Sequence, residues 1–156
     1  MTFVFHPGDT FELPRPKVVE RMAMPADATG GTLSILEIVV QPGGLVAPVH
    51  VHTLEDETMY VYEGVVGALL GKEELEVGPG GTAFLPRDVA HSFWNSGDVP
   101  ARLIIAITPG NLDGYFRGLP ATNGPDEIVE LARSYGMELR MESARELGER
   151  HGVSMF

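Results

Sequence analysis

Short apolar runs separated by turn signals fill the middle of the chain, and no other feature narrows its fold as much. Turn signals fall at Pro42-Gly43-Gly44, Glu63-Gly64, Gly71-Lys72, Gly78-Pro79-Gly80-Gly81, Pro86-Arg87-Asp88 and Gly97-Asp98. The runs between them, at 32–41, 45–53, 57–63, 65–70, 73–77, 81–85, 90–95 and 101–107, are rich in β-branched and aliphatic residues. Runs this short, spaced this regularly, predict an all-β sandwich or barrel. With 19 glycines and 12 prolines but no low-complexity run, the excess of both fits many tight turns. The last run, ARLIIAI, is apolar on both alternating sets and predicts a strand buried on both faces.

The ends have a different texture. Residues 1–31 open with Phe3-Val4-Phe5 and a Pro-Gly-Asp turn; Phe11 and Leu13 then alternate with polar neighbours. Val18-Val19 and Met22-Met24 predict a further strand or an arm, and arms of this kind can cross to a partner subunit. After Pro109, Asn111 is a candidate cap for a short helix with Leu112, Tyr115, Phe116 and Leu119 at helical spacing. Residues 125–135 start with proline, carry acids in the first turn and meet a stop signal at Gly136. Ser143 with Glu146 reads as a capping box for a last helix over roughly 144–151. The expectation is one domain over 1–156: a core at about 32–108, an N-terminal arm at 1–31, and a helical extension at 109–156 that packs outside.

The chain has 156 residues, enough for one core, and a formal net charge of −11. That charge argues against nucleic acid and against an anionic membrane surface as partners. No run approaches the length of a membrane span, and the N-terminus lacks the basic start and apolar stretch of a secretory signal. There is no cysteine, which excludes disulfides and thiolate chemistry and fits a cytoplasmic location.

The chemistry-bearing residues lie at 44–95. His50 and His52 are two apart, so on a strand they project to one face. Glu57 follows a four-residue break that lets the next strand return beside them, and His91 lies on a later strand. Three imidazoles and a carboxylate suit one divalent transition metal (iron, manganese, nickel, cobalt, copper or zinc) and leave coordination positions open. The alternative is a set of barrel-facing histidines that hydrogen-bond each other or water.

These residues resemble the motifs of the cupin family. Gly44, five residues, His50-x-His52, four residues, Glu57, six residues, Gly64 matches the first motif; Gly80, five residues, Pro86, then His91, three residues, Asn95 matches the second. The departure is Asp88, where the family has glycine, although aspartate tolerates such turns. The fifteen residues between Gly64 and Gly80 resemble the short spacing of small single-domain cupins. The tail, with Thr-Pro-Gly, Tyr115-Phe116 and a Pro-Asp-x-Ile helix, is similar to that of quercetin-dioxygenase-like cupins. The resemblance implies an all-β double-stranded β-helix, or jelly-roll barrel, with a metal on His50, His52, Glu57 and His91. It implies a small-molecule substrate, a homodimer, and oxidative cleavage of a flavonol or other enolisable aromatic, with Glu57 as ligand and base. A metal-assisted isomerase or cyclase of secondary metabolism, and a non-catalytic binder, are the alternatives.

Alternation also assigns the neighbours. Met59 and Val61 share a face with Glu57, and Phe93 shares one with His91; these are pocket-lining or core residues. Tyr60 and Tyr62 fall on the opposite face, for core or dimer packing, and Trp94 is structural. Glu55 and Asp56 read as solvated loop charges, His6 and His151 as surface histidines, and Arg87 and Arg102 as surface cations.

Overall fold

The computed structural model describes residues 3–156 and has two antiparallel sheets that face each other. In chain order the strands are β1 (Glu12–Pro14), β2 (Val18–Met24), β3 (Ser34–Val40), β4 (Val49–His52), β5 (Asp56–Glu63) and β6 (Val66–Leu70). There follow β7 (Glu73–Val77), β8 (Thr82–Leu85), β9 (His91–Asn95), β10 (Ala101–Thr108) and β11 (Met137–Arg140). Three helices, α1 (Asp113–Gly118), α2 (Pro125–Ser134) and α3 (Ser143–His151), lie after β10. The larger sheet runs β1-β2-β3-β10-β5-β8 and the smaller β11-β4-β9-β6-β7. This is the expected all-β jelly roll, and among the described residues no helix is long and apolar enough to cross a membrane.

Period-two patterning explains the layering. On β3, Ser34, Leu36, Ile38 and Val40 are buried and their neighbours only half so; on β5, Glu57, Met59 and Val61 alternate with outward residues. β10 pairs with β3 on one side and β5 on the other, and its Leu103, Ile105 and Ile107 are sealed in the core. Each such side chain contributes about 1.5–3 kcal/mol by leaving water. The expectation of two buried faces is corrected here: Arg102, Ile104 and Ala106 are only half-buried, because no further layer covers the outer face of the larger sheet.

Two glycines are dictated by contact. At Gly64 the backbone is left-handed (φ 72°) and a Cβ would fall 2.7 Å from the Cα of Ala101. At Gly67 a Cβ would meet the Trp94 indole at 2.4 Å, so the ring packs onto bare backbone across the β6–β9 pair. Trp94 anchors a second core with Leu45, Val49, Leu147 and Val153, away from the cavity, as expected of a structural residue.

At the N-terminal end the strand reading holds, and at the C-terminal end three expectations are corrected. The N-terminal arm adds β1 and β2 to its own chain's larger sheet, with Val18 and Met22 in the core. The C-terminal part is not purely helical: β11, between α2 and α3, pairs with β4 along its whole length, opposing Leu139 to His50. Apolar Met137 and Leu139 at two-residue spacing carried that signal, but four residues following a helix stop are easily read as loop. The Ser143–Glu146 box does not form either. The Ser143 hydroxyl donates to the Arg140 carbonyl and accepts the Val49 amide at 2.7 Å, tying α3 to β4 rather than capping the helix. Likewise Asn111 makes no cap for α1, whose Asp113 instead accepts the Ala26 amide at 2.8 Å.

Candidate metal centre and its cavity

The antiparallel pairing of β4 and β9 sets His50 directly opposite His91, and two-residue spacing puts His52 on the same inner face. β5 lies in the other sheet and contributes Glu57 from across the barrel. All four are buried, and one ligand atom from each lies within 4.8 Å of the others. Ligands about 2.1 Å from one ion stand about 3 Å apart at right angles and about 4.2 Å apart when opposite. The observed approaches, His91 Nε2 to Glu57 Oε2 at 3.2 Å and His52 Nε2 to Glu57 Oε1 at 3.6 Å, suit that geometry.

Two of the three imidazoles are braced from behind. His50 Nδ1 donates to the Pro48 carbonyl at 2.8 Å and His91 Nδ1 to the Val89 carbonyl at 3.1 Å. His91 Nε2 faces the Glu57 carboxylate at 3.2 Å, and with Nδ1 as the donor to Val89 a lone pair on Nε2 would meet a second acceptor. That arrangement calls for a cation between them. His52 has no hydrogen-bond partner on either ring nitrogen although it is buried. The donor set therefore fits a divalent transition metal, with three imidazole nitrogens and one carboxylate pre-oriented toward one point.

Electrostatics follow from burial and crowding. Burial, with the neighbouring His91 and His52, holds His50 well below the ordinary imidazole value. Burial pushes His52 the same way, but the Glu57 and Glu55 carboxylates outweigh it and raise His52 overall. Glu57 is driven up by burial and down more strongly by His52, His91 and His50, ending at about 2, so it is ionised at neutral pH.

Glu55 corrects the sequence reading. It is not a solvated loop charge: it is 1% exposed, with Oε2 3.7 Å from His52 Nδ1. The alternation of Glu57, Met59 and Val61 extends back to Glu55, and that period was the available signal. Asp56, on the opposite phase, is not in a loop either: it opens β5, faces outward and is gripped by Arg87 at 2.9 Å. Arg102 pairs with Glu63 at 3.1 Å on the surface. Asp88 adopts the left-handed conformation (φ 64°) that the family motif assigns to glycine. Its amide donates to the His52 carbonyl at 2.7 Å, so the loop keeps its shape and clamps the ligand strand.

The cluster opens into a largely apolar cavity of about 400 Å³. Of the three residues suggested for its wall, Phe93 lines it, whereas Met59 and Val61 are sealed in the core beneath. The remaining wall comes from Leu36, Ile38 and Ile105 of the larger sheet, and from Arg15, Glu20, Tyr115 and Phe116 in the terminal segments. Glu20 went unremarked in the sequence, yet the alternation of Val18, Glu20 and Met22 places it inward. Tyr60 and Tyr62 face outward, Tyr62 donating to Glu37 at 2.6 Å, rather than into the core. His151 is not a free surface histidine: its ring stacks on Trp94 at 4.4 Å and fixes α3 to the smaller sheet. His6, in contrast, is exposed.

Comparison with known proteins agrees with this architecture. Residues 36–107 match the family model of the cupin domain. Protein SchB of Streptomyces halstedii is 34% identical over 84 residues, which cover 54% of this chain and 59% of SchB. The tetracenomycin polyketide synthase protein TcmJ of Streptomyces glaucescens is 33% identical over 82 residues, which cover 53% of each. The matched stretch thus spans between half and three fifths of these two relatives. Among solved structures, KdgF from Halomonas sp. superposes with a TM-score of 0.60 at 17% identity over 70% of this chain and 94% of that one, a likeness of fold. With two sheets in jelly-roll order, both motifs in register and residues 36–107 matching the cupin domain, the chain has the cupin fold.

Proposed function

We propose that the protein is a metal-dependent enzyme acting on a small, largely apolar, enolisable organic molecule. The observation that carries this reading is the buried cluster of His50, His52, Glu57 and His91 opening into an apolar cavity. A bound divalent metal would supply Lewis acidity toward a ketone oxygen and its neighbouring enol oxygen, favouring the enolate. The chain's own residues do the rest. The three histidines supply nitrogen ligands around one carboxylate, and the Pro48 and Val89 carbonyls fix which nitrogen of His50 and His91 points inward. Glu57, ionised at neutral pH, is both ligand and the acceptor nearest an enol proton delivered to the cluster. Phe93, Ile105 and Phe116 exclude water from the enolate carbon.

The first reading of the reaction is dioxygenation of the quercetinase type, in which dioxygen is co-substrate and a flavonol or related aromatic is cleaved. The likeness to TcmJ, named for a polyketide synthase, favours a second reading: isomerisation or cyclisation of a polyketide-like molecule without dioxygen. A homodimer in the cytoplasm, the state suggested by the resemblance and the cysteine-free composition, belongs to the same proposal. Bound metal and dioxygen uptake with a panel of flavonols and other enolisable aromatics test it. Uptake that disappears in His50→Ala and Glu57→Ala supports the dioxygenase; turnover without uptake selects the second reading. A protein that binds no divalent metal overturns both.

A further inference from the structure

The cavity has a second polar region that the metal cluster does not use. Glu20 projects inward from β2 between the fully buried Val18 and Met22, and is itself 7% exposed. Arg15, in the turn between β1 and β2, reaches it with Nη2 at 3.2 Å, and the same nitrogen donates to the Val46 carbonyl at 2.8 Å. Tyr115, on α1, lines the same cavity. All three lie outside the matched cupin core at 36–107, whereas the four cluster residues lie inside it.

An ion pair in an apolar wall is an expensive way to fill space. Apolar residues of similar volume are often as stable or more so, because two charges must be desolvated to form the pair. Away from the cluster the wall is mostly apolar, with Leu36, Ile38, Phe93, Ile105 and Phe116 among its residues, so packing alone has no need of the pair. The pair's chemistry is specific. Glu20 offers an acceptor and Arg15 a donor, and their charges cancel. Burial and the Glu20 charge push Tyr115 up to about 12, so it remains a neutral hydroxyl donor beside them. An acceptor flanked by donors with no net charge matches a hydroxyl group, which both gives and takes a hydrogen bond. A carboxylate would meet Glu20 without a spare positive charge, and a bare hydrocarbon would leave the polar groups desolvated and unpaired.

We propose that Arg15, Glu20 and Tyr115 form a recognition subsite for a neutral phenolic or alcoholic hydroxyl on the part of an aromatic substrate that meets the wall built by the terminal segments. The subsite gives specificity, and the cluster gives chemistry. Its link to turnover rests on the proposed function, but hydroxyl recognition itself is independent of metal.

The test uses chelator-treated protein and three probes of equal ring size: naphthalene, 2-naphthol and 2-naphthoate, with affinity read from probe fluorescence. Metal reconstitution of the same samples is measured in parallel. The expected result is 2-naphthol bound about tenfold tighter than naphthalene, in keeping with one or two buried hydrogen bonds, and 2-naphthoate bound more weakly than 2-naphthol. The double variant R15M/E20M, which replaces the pair with apolar volume, should retain naphthalene binding and metal uptake and lose the preference for 2-naphthol. Tyr115→Phe, which removes one oxygen, should reduce the preference about threefold and supplies the answer if the double variant does not fold. Equal binding of 2-naphthol and naphthalene by the wild type, binding of neither, a preference for 2-naphthoate, or a preference unchanged in the variants would each overturn the subsite. A protein that shows the preference yet takes up no metal retains the subsite and loses the proposed enzyme.

Discussion

The two polar regions of the cavity are built in different ways. At the cluster, three strands of the family core bring four side chains to one point, and each ligand is held by its neighbours. The Pro48 and Val89 carbonyls orient His50 and His91, Glu55 stands behind His52, and the Asp88 amide grips the His52 carbonyl. The Arg15–Glu20–Tyr115 region comes from segments laid over that core, with one ion pair and a hydroxyl. A site fixed by sheet register survives changes in the segments around it, because moving a ligand means moving a strand. A site carried by an added arm and a short helix can change without disturbing the barrel. The contrast separates what a cupin can do from what a given cupin acts on.

The contrast breaks most readily at the ligands. Replacing His91 or Glu57 by alanine should lower divalent-metal affinity more than about 100-fold, beyond the range for outer-shell partners, by titration calorimetry or bound-metal analysis. The R15M/E20M variant should change that affinity far less, since neither residue belongs to the four-ligand cluster. A ligand variant that keeps wild-type affinity would show that the cluster is hydrogen-bonded packing and nothing more.

A smaller effect is expected from Glu55→Gln, which keeps the shape and removes the charge behind His52. Metal affinity should fall about 10- to 100-fold, as for other groups that orient a ligating histidine. The same variant has a pH signature. With His52 raised above its ordinary value of 6.5 by Glu57 and Glu55, protons compete with metal for it as pH falls through a point above 6.5. Removing the Glu55 charge should move the bend in a plot of metal affinity against pH, where protons begin to compete, to lower pH. An unchanged profile would mean that Glu55 only fills space.

The smallest effect is on stability at the other end. Burial raises Glu20 above its ordinary 4.5, with Arg15 offsetting part of that. A carboxyl whose folded-state value is raised favours the fold fully below 4.5 and loses that contribution as pH rises through the higher folded value. Glu20→Gln should therefore raise the melting temperature modestly at pH 7, with the gain closing as pH falls toward 4. Stability sacrificed at neutral pH is what a residue kept for binding shows. A variant less stable at pH 7 would instead make Glu20 a structural partner of Arg15.

How much of this was legible in the chain depends on how local the signal was. The strands, the paired histidines, Glu57 and His91 followed from alternation and motif spacing, and Asp88 from the turn chemistry its position demands. The same alternation ran on through Glu55 and Glu20, but burying a lone carboxylate is unfavourable without a partner, so the solvated reading was natural for Glu55. The partner in each case comes from elsewhere: His52 for Glu55, and Arg15 for Glu20. β11 was missed because four residues carry too short a pattern to stand out, and its strand character is conferred by the open edge of β4. His151 was read as a surface group because its stacking partner, Trp94, lies on another strand far away in the chain.

By itself the sequence determined a barrel of short strands and the four side chains at its centre, because strand period and turn residues act over a few positions. Only the tertiary structure decided what surrounds them. It chose which of Phe93, Met59 and Val61 meets the cavity, set Glu55 behind a ligand, and brought Arg15, Glu20 and Tyr115 from opposite ends of the chain into one wall. Those placements arise from the packing of one sheet against the other and of the termini over both, contacts between residues far apart in the chain that no local periodicity encodes.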